Sequence, residues 1–189
     1  MTDVERDRLN IRDALPEELD AVAKVMQAAY QQYAAHMAPE SWEAYAENIV
    51  DVRSRLDRSA LIVAALDQEL VGAVTLYHSG SPRSSEVWPS SWACIRLLAV
   101  HPAHRGRGVG RALMQECLER CRDQGASTIG LHTTEVMSVA GKLYKHMGFV
   151  RVPEYDFRVG GYLGKEQSHS KGLRIQISNH KSSDQTMVM

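Results

Sequence analysis

Residues 99–114 read AVHPAHRGRGVGRALM and set Gly106, Gly108 and Gly110 among Arg105, Arg107 and Arg111. Glycine lets a backbone turn sharply and approach a ligand with no Cβ in the way. Arginine supplies a permanent charge and a fork of donors that matches a phosphate. A helix-forming run follows at once. The first turn of a helix has backbone N–H groups without internal partners and about half a positive charge. Together these are the parts of a cradle for a diphosphate. A Walker A loop would end in Gly-Lys-Ser/Thr, whereas Gly110 is followed by Arg111 and Ala112. A dinucleotide fingerprint beginning at Gly106 would need a glycine where Arg111 stands. What remains is Arg105-x-x-Gly108-x-Gly110.

The elements that must position this loop follow from periodicity. Leu9 to Ala14 alternates as a strand, and Pro16 opens a helix with its stripe on Leu19, Val22, Ala23, Met26, Ala29 and Tyr30. A second helix starts near Pro39, with Trp42, Tyr45, Ala46, Ile49 and Leu56 on its stripe. ALIVAAL and LVGAVTLYH, separated by Asp67, Gln68 and Glu69, predict an antiparallel hairpin. Ser79 to Ser91 is rich in Ser and Pro and reads as a loop. Trp92 to Val100 is almost continuously apolar, as a central strand covered on both faces should be. A helix over 109–124, a strand in STIGLHTT, a helix over 138–147 and a strand in FVRVPEYDF complete the order. Hairpins in the first half and βαβ crossovers in the second predict an α/β fold of mixed α+β character, a mixed sheet with helices on both faces.

Bulk properties narrow the function. The chain has 189 residues, a net charge of −1, and 44% hydrophobic and 24% charged residues. Near-neutral charge argues against nucleic acid as a partner, so any anion site must be local. No apolar stretch reaches the ~20 residues of a membrane span, so no membrane partner is expected. The charged start MTDVERDRLN has no signal-peptide core, which predicts a cytoplasmic protein. Cys94, Cys117 and Cys121 show no Cys-x-x-Cys spacing, and Cys117 and Cys121 share a helix face as small core residues, so no metal is expected.

Arg105-x-x-Gly108-x-Gly110 after LAVHP resembles the acetyl-CoA pyrophosphate loop of the GNAT superfamily of N-acetyltransferases. AGKLYKHMGF, Ala140 to Phe149, is similar to that family's A-x-x-L-Y-x-x-x-G-F. The likeness covers roughly Leu9 to Asp156. It implies a mostly antiparallel twisted sheet of six to seven strands, with a V-shaped splay between two central parallel strands. It implies a single acetyltransferase domain over 1–160. Residues 161–189 then form a polar C-terminal segment with a candidate strand at 173–177 and a disordered end. Leu98, Ala99 and Val100 would offer backbone groups to the pantetheine arm of acetyl-CoA. Arg105, Gly106, Arg107, Gly108, Val109 and Gly110 would donate main-chain N–H groups to its pyrophosphate, and Arg111 and Lys145 would meet the nucleotide phosphates. Tyr144 would sit by the thioester sulfur. Two positions depart from the pattern: Met137 stands where many relatives have Asn, and Cys94 where many have the Glu that serves as base.

The implied reaction moves acetyl from acetyl-CoA to the primary amine of a small molecule, peptide or protein, in a ternary complex. An amine near pKa ~10.4 is almost wholly protonated at neutral pH, a handicap of about 4–5 kcal/mol, so a base is needed. Glu86 in the loop before the central strand is the preferred candidate, over His78, His132 and Glu135. Tyr144, a phenol donor, would protonate the departing thiolate. Tyr33 and Trp42 are expected in the acceptor pocket, with His36 and Trp88 as further candidates. The chain is expected to act as a monomer or homodimer. A CoA-binding sensor that has lost catalysis is the alternative.

Overall fold

The structure, a computed structural model, describes residues 9–81, 88–161 and 168–177. β1 (Leu9–Asp13) pairs antiparallel with β2 (Ala60–Leu66). Asp67 and Gln68 then take φ of 49° and 71°. Two left-handed residues make the hairpin turn whose twist matches its strands, and β3 (Glu69–Tyr77) returns along β2. β4 (Ala93–Val100) pairs antiparallel with β3 and parallel with β5 (Thr128–Thr133). β6 (Val150–Arg151) and β7 (Phe157–Val159) are short. β8 (Ser168–Gln176) inserts between β5 and β6, antiparallel to both, and β7 pairs with β8 off the main path. The sheet order is β1-β2-β3-β4-β5-β8-β6.

α1 (Leu19–Tyr30) and α2 (Pro39–Val50) cover one face. Their buried side chains, Val22, Met26 and Ile49 among them, meet Leu61, Val63, Ala73, Leu97 and Ala99. α3 (Val109–Asp123) and α4 (Ser138–His146) cover the other, where Leu113, Met114, Cys117 and Tyr144 meet Ile62, Val74, Ile95 and Ile129. Burial pushes the Cys121 thiol up to about 12 and Cys117 higher still, so both stay protonated in the core.

Three expectations are corrected. The second helix stops at Val50, so Leu56 is not on its stripe and is 40% exposed. The Arg55 guanidinium ends that helix by donating to the carbonyls of Asn48 and Ile49 at 2.7 and 3.2 Å. The run FVRVPEYDF is not one strand: Pro153 opens a turn over Pro153–Tyr155 that separates β6 from β7. The strand expected at 173–177 spans Ser168–Gln176. The end from Ser178, expected to be disordered, lies outside the described residues.

Candidate active site

The site begins where β4 leaves its neighbours. β4 pairs with β5 only at Ala93, Cys94 and Ile95. From Arg96 onward the two parallel strands diverge. On its other side, the register with β3 jumps from Thr75–Arg96 to Ala73–Ala99, so Leu97 and Leu98 stand opposite Val74 alone. This is a β-bulge, and Leu97 takes a left-handed φ of 54°. A leucine in that region costs about 1–3 kcal/mol and persists only when its surroundings enforce it. The bulge leaves Leu97 and Leu98 without register partners on either side. The Tyr30 hydroxyl lies 3.4 Å from the Leu98 carbonyl and donates to it.

The chain then turns through His101–Pro102 into the glycine loop. Gly106 and Gly108 have φ of 76° and 79°, which other residues adopt only under strain. Gly108 is the residue preceding α3, so the loop feeds the first helical turn directly. The amides of Gly106, Arg107 and Gly108 donate to no backbone carbonyl among the described residues. Those of Val109, Gly110 and Arg111 head α3 without intrahelical acceptors. The Arg105 amide, expected at the pyrophosphate, donates to the Pro102 carbonyl at 3.4 Å, and its side chain braces the loop. Its guanidinium donates to the Ala29 carbonyl at 2.9 Å, the Gln32 side chain at 3.1 Å and the Val100 carbonyl at 3.4 Å. It ties the loop to the C-terminal end of α1, where a cation also suits the helix dipole.

Loop, bulge and splay open on one cavity of about 700 Å³. Of the residues named from sequence, Tyr33, Trp88, Leu98, Val100, Arg105, Gly106, Gly108, Val109, Gly110, Arg111, His132 and Tyr144 line it. Ala99 does not; it is buried in the core against α1. Arg107 and Lys145 are exposed outside the wall, as is His36. Trp42 also lies outside the wall, edge-on to Tyr45 with ring centres 6.3 Å apart. His78 is outside it as well, and Glu135 pairs with Lys171 at 3.2 Å. Glu86 lies outside the described residues. Sequence reasoning missed Tyr30, Tyr45, Arg96, Thr133, Thr134, Phe157 and Ser170, which also line it. Thr133 and Thr134 end a strand already placed beside the slot, which was a usable signal. Phe157 and Ser170 arrive only through the β7–β8 pairing.

His132 sits in an aromatic nest. Its ring lies 4.4 Å from that of Trp88 and 4.8 Å from that of Phe157. Trp88 packs so tightly over Gly130 that a Cβ there would meet the indole at 2.8 Å. The His132 Nε2 is 2.9 Å from the Tyr155 carbonyl. A carbonyl only accepts, so Nε2 carries the proton and Nδ1 is left basic. Burial, more than any neighbouring charge, holds this imidazole below the usual histidine value, so it is neutral at pH 7. Tyr144 is 6% exposed, and burial holds its phenol well above the usual tyrosine value. It is therefore a donor throughout the neutral range.

The model of the Acetyltransferase (GNAT) family matches residues 20–149. The chain is 30% identical over 93 residues to streptothricin acetyltransferase of Streptomyces lavendulae, covering 49% of this chain and 45% of that protein. It is 28% identical over 139 residues to N-acetyltransferase 8B of Homo sapiens, covering 67% and 58%. The chain thus spans about half the length of these curated relatives. Among solved structures it is similar to the paia N-acetyltransferase of Thermoplasma acidophilum in complex with coenzyme A. The TM-score is 0.67 at 17% identity, over 89% of this chain and 98% of that one. It is also similar to yncA of Salmonella typhimurium with its cofactor acetyl-CoA, with a TM-score of 0.65 at 18% identity over 95% and 99%. At these identities the likeness is one of fold. Among the described residues no helix is long and apolar enough to cross a membrane.

Proposed function

The chain belongs to the Acetyltransferase (GNAT) family, and from that premise we propose that it transfers an acetyl group from acetyl-CoA to a primary amine by direct attack in a ternary complex. One observation carries this reading. A cradle of amides with no backbone acceptor among the described residues, a split between parallel strands, a half-buried histidine and a buried tyrosine all open on one cavity. The residues fit the cosubstrate: the amides of Gly106 to Arg111 would hold its pyrophosphate, and the backbone of β4 at Leu97 and Leu98, past its last pair with β5, would accompany its pantetheine arm. Acetyl-CoA supplies the activated acyl group.

The remaining chemistry belongs to the chain. His132, neutral and basic at Nδ1, takes the proton that the attacking amine must lose, directly or through one water. Main-chain amides at the bulge stabilise negative charge as it develops on the attacked carbonyl oxygen. Tyr144 donates its phenolic proton to the departing thiolate. Glu86 remains a second candidate for the base, in a role that supplements His132. The packed aromatic wall excludes water from the thioester.

The test is a screen of an amine library with the purified chain and acetyl-CoA, reading thiol release. The proposal expects acceptor-dependent release well above background hydrolysis. Calorimetry showing tight acetyl-CoA binding with no transfer to any amine would favour the CoA-binding sensor instead. No binding at millimolar ligand would overturn both readings.

A further inference from the structure

We infer that Asp156 is a positioning residue for His132: by clamping the turn over 153–155 to β8, its carboxylate holds the imidazole in the tautomer that leaves Nδ1 basic. The use of His132 as a base rests on the acetyltransferase reading above; the clamp and the tautomer rest on the fold alone.

The first observation is how a break in the sheet is closed. β6 pairs with β8 at Val150 and Arg151, and β7 resumes the pairing at Phe157, so the turn between them offers β8 no strand. Gly172 of β8 faces that break. The Val152 amide donates to the Gly172 carbonyl at 3.0 Å, and the Gly172 amide donates to Asp156 Oδ1 at 2.9 Å. The carboxylate stands in for the ladder carbonyl that the turn removes. Its Oδ2 accepts from the Arg151 guanidinium. One carboxylate thus joins β6, the turn and β8, through charge-assisted bonds that are stronger than neutral ones. The seat is close: a Cβ on Gly172 would lie 3.0 Å from the Tyr155 Cβ and 3.1 Å from the Val152 carbonyl oxygen.

The second observation is what the seated turn delivers. Gly172 stands opposite His132 in the β5–β8 register. The Tyr155 carbonyl accepts from His132 Nε2 at 2.9 Å. The Tyr155 ring lies 4.9 Å from that of Trp88, which lies 4.4 Å from the imidazole. Tyr155 therefore meets His132 twice, at its proton and, through Trp88, at its ring face. The other neutral tautomer would set the Nε2 lone pair against the carbonyl oxygen. Arg151, Asp156 and Gly172 are not residues of the cavity wall. Any effect of theirs on the chemistry has to pass through the groups they hold.

The charges around the ring give the clamp a second readout. Burial lowers the His132 value most, the negative charge of Asp156 raises it, and the positive charge of Arg96 on β4 lowers it. Lys171 on β8 and Glu135 after β5 pair with each other at 3.2 Å. Removing the Asp156 charge therefore lowers the His132 value further.

The experiment records long-range 1H–15N spectra of the histidine rings in the whole chain without ligand, with the His132 signals assigned by their loss in His132→Gln. At about pH 8 the wild type should show His132 as the Nε2–H tautomer. Asp156→Ala should bring in the Nδ1–H form. It should also lower kcat with the fastest amine of the library screen by about tenfold, while calorimetric affinity for acetyl-CoA stays within about twofold. In the His132→Gln background the same substitution should cost less than about twofold, because its target is gone. Asp156→Asn keeps an oxygen for the Gly172 amide, so it should retain the tautomer and most of kcat while His132 titrates at lower pH. Gly172→Ala unseats the turn from the other side and should act as Asp156→Ala does, which carries the test if the latter fails to fold. A tautomer unchanged in these two alanine variants, or an equal loss of kcat with and without His132, would overturn this inference alone. Transfer to no amine by the wild type would overturn the acetyltransferase reading, and the spectra would still decide for or against the clamp.

Discussion

Two side chains that line one cavity are held in opposite protonation states by the same force. Burial disfavours charge, so it lowers the pKa of His132 and raises that of Tyr144. One becomes a base that is ready at neutral pH and the other an acid that does not ionise. Tyr144→Phe removes only the hydroxyl. We expect kcat to fall at least about tenfold while the calorimetric affinity for acetyl-CoA stays within about twofold, because the phenol meets the sulfur only as it leaves. The profile of kcat/KM against pH should show an acid limb below the usual histidine value of about 6.5, since protonated His132 cannot accept a proton. His132→Gln should remove that limb and lower the plateau by about a hundredfold. A limb that persists in the variant would assign the base to another group, with Glu86 the first to examine.

At the scale of elements, the glycine loop is held from behind by α1. Arg105 spans the gap with three hydrogen bonds from one rigid fork. Arg105→Ala should raise the dissociation constant for acetyl-CoA by about tenfold, equivalent to about 1.4 kcal/mol, by releasing the loop and not by losing a phosphate contact. Arg105→Lys should not restore it, because an ammonium cannot reach the three acceptors from one plane. If lysine restores full affinity, the arginine acts as a charge and not as a brace. α1 also carries Tyr30, whose hydroxyl touches the Leu98 carbonyl. The helix that walls the acceptor side thus touches both the loop and the bulge that would hold the cosubstrate.

At the scale of the whole molecule, two hydrophobic cores lie on opposite faces of one sheet, and the cavity opens where that sheet splits. Keeping half-buried histidines neutral has a consequence for stability. Burial lowers the pKa of both His132 and His78 in the folded chain. The unfolded chain binds those protons near pH 6.5, where the folded chain does not. Stability is therefore complete above about 6.5 and is lost as pH falls from there through the two folded values. Thermal melts should give a Tm that is flat above about pH 7 and declines below about 6.5, with a shallower decline in His132→Gln. A second loss should follow at lower pH, where Glu18, held below its usual value chiefly by the Arg12 guanidinium, takes up a proton.

Much of this was written in the chain order. Alternation and helical stripes placed β1 to β5 and all four helices, because apolar burial on one face imposes a period that survives in a single sequence. The loop was legible in the same way, since a left-handed turn into a helix admits few residues besides glycine. Tertiary structure alone decided the rest. The break in FVRVPEYDF put Phe157 over His132, and the polar strand Ser168–Gln176 entered the sheet between β5 and β6, bringing Ser170 to the cavity. The bulge at Leu97 has no local signature, because leucine does not favour φ above zero and only strands on either side can hold it there. Trp42 and Tyr45 share one helix stripe, yet only Tyr45 reaches the cavity; periodicity fixes which face of a helix is covered, and packing fixes what covers it.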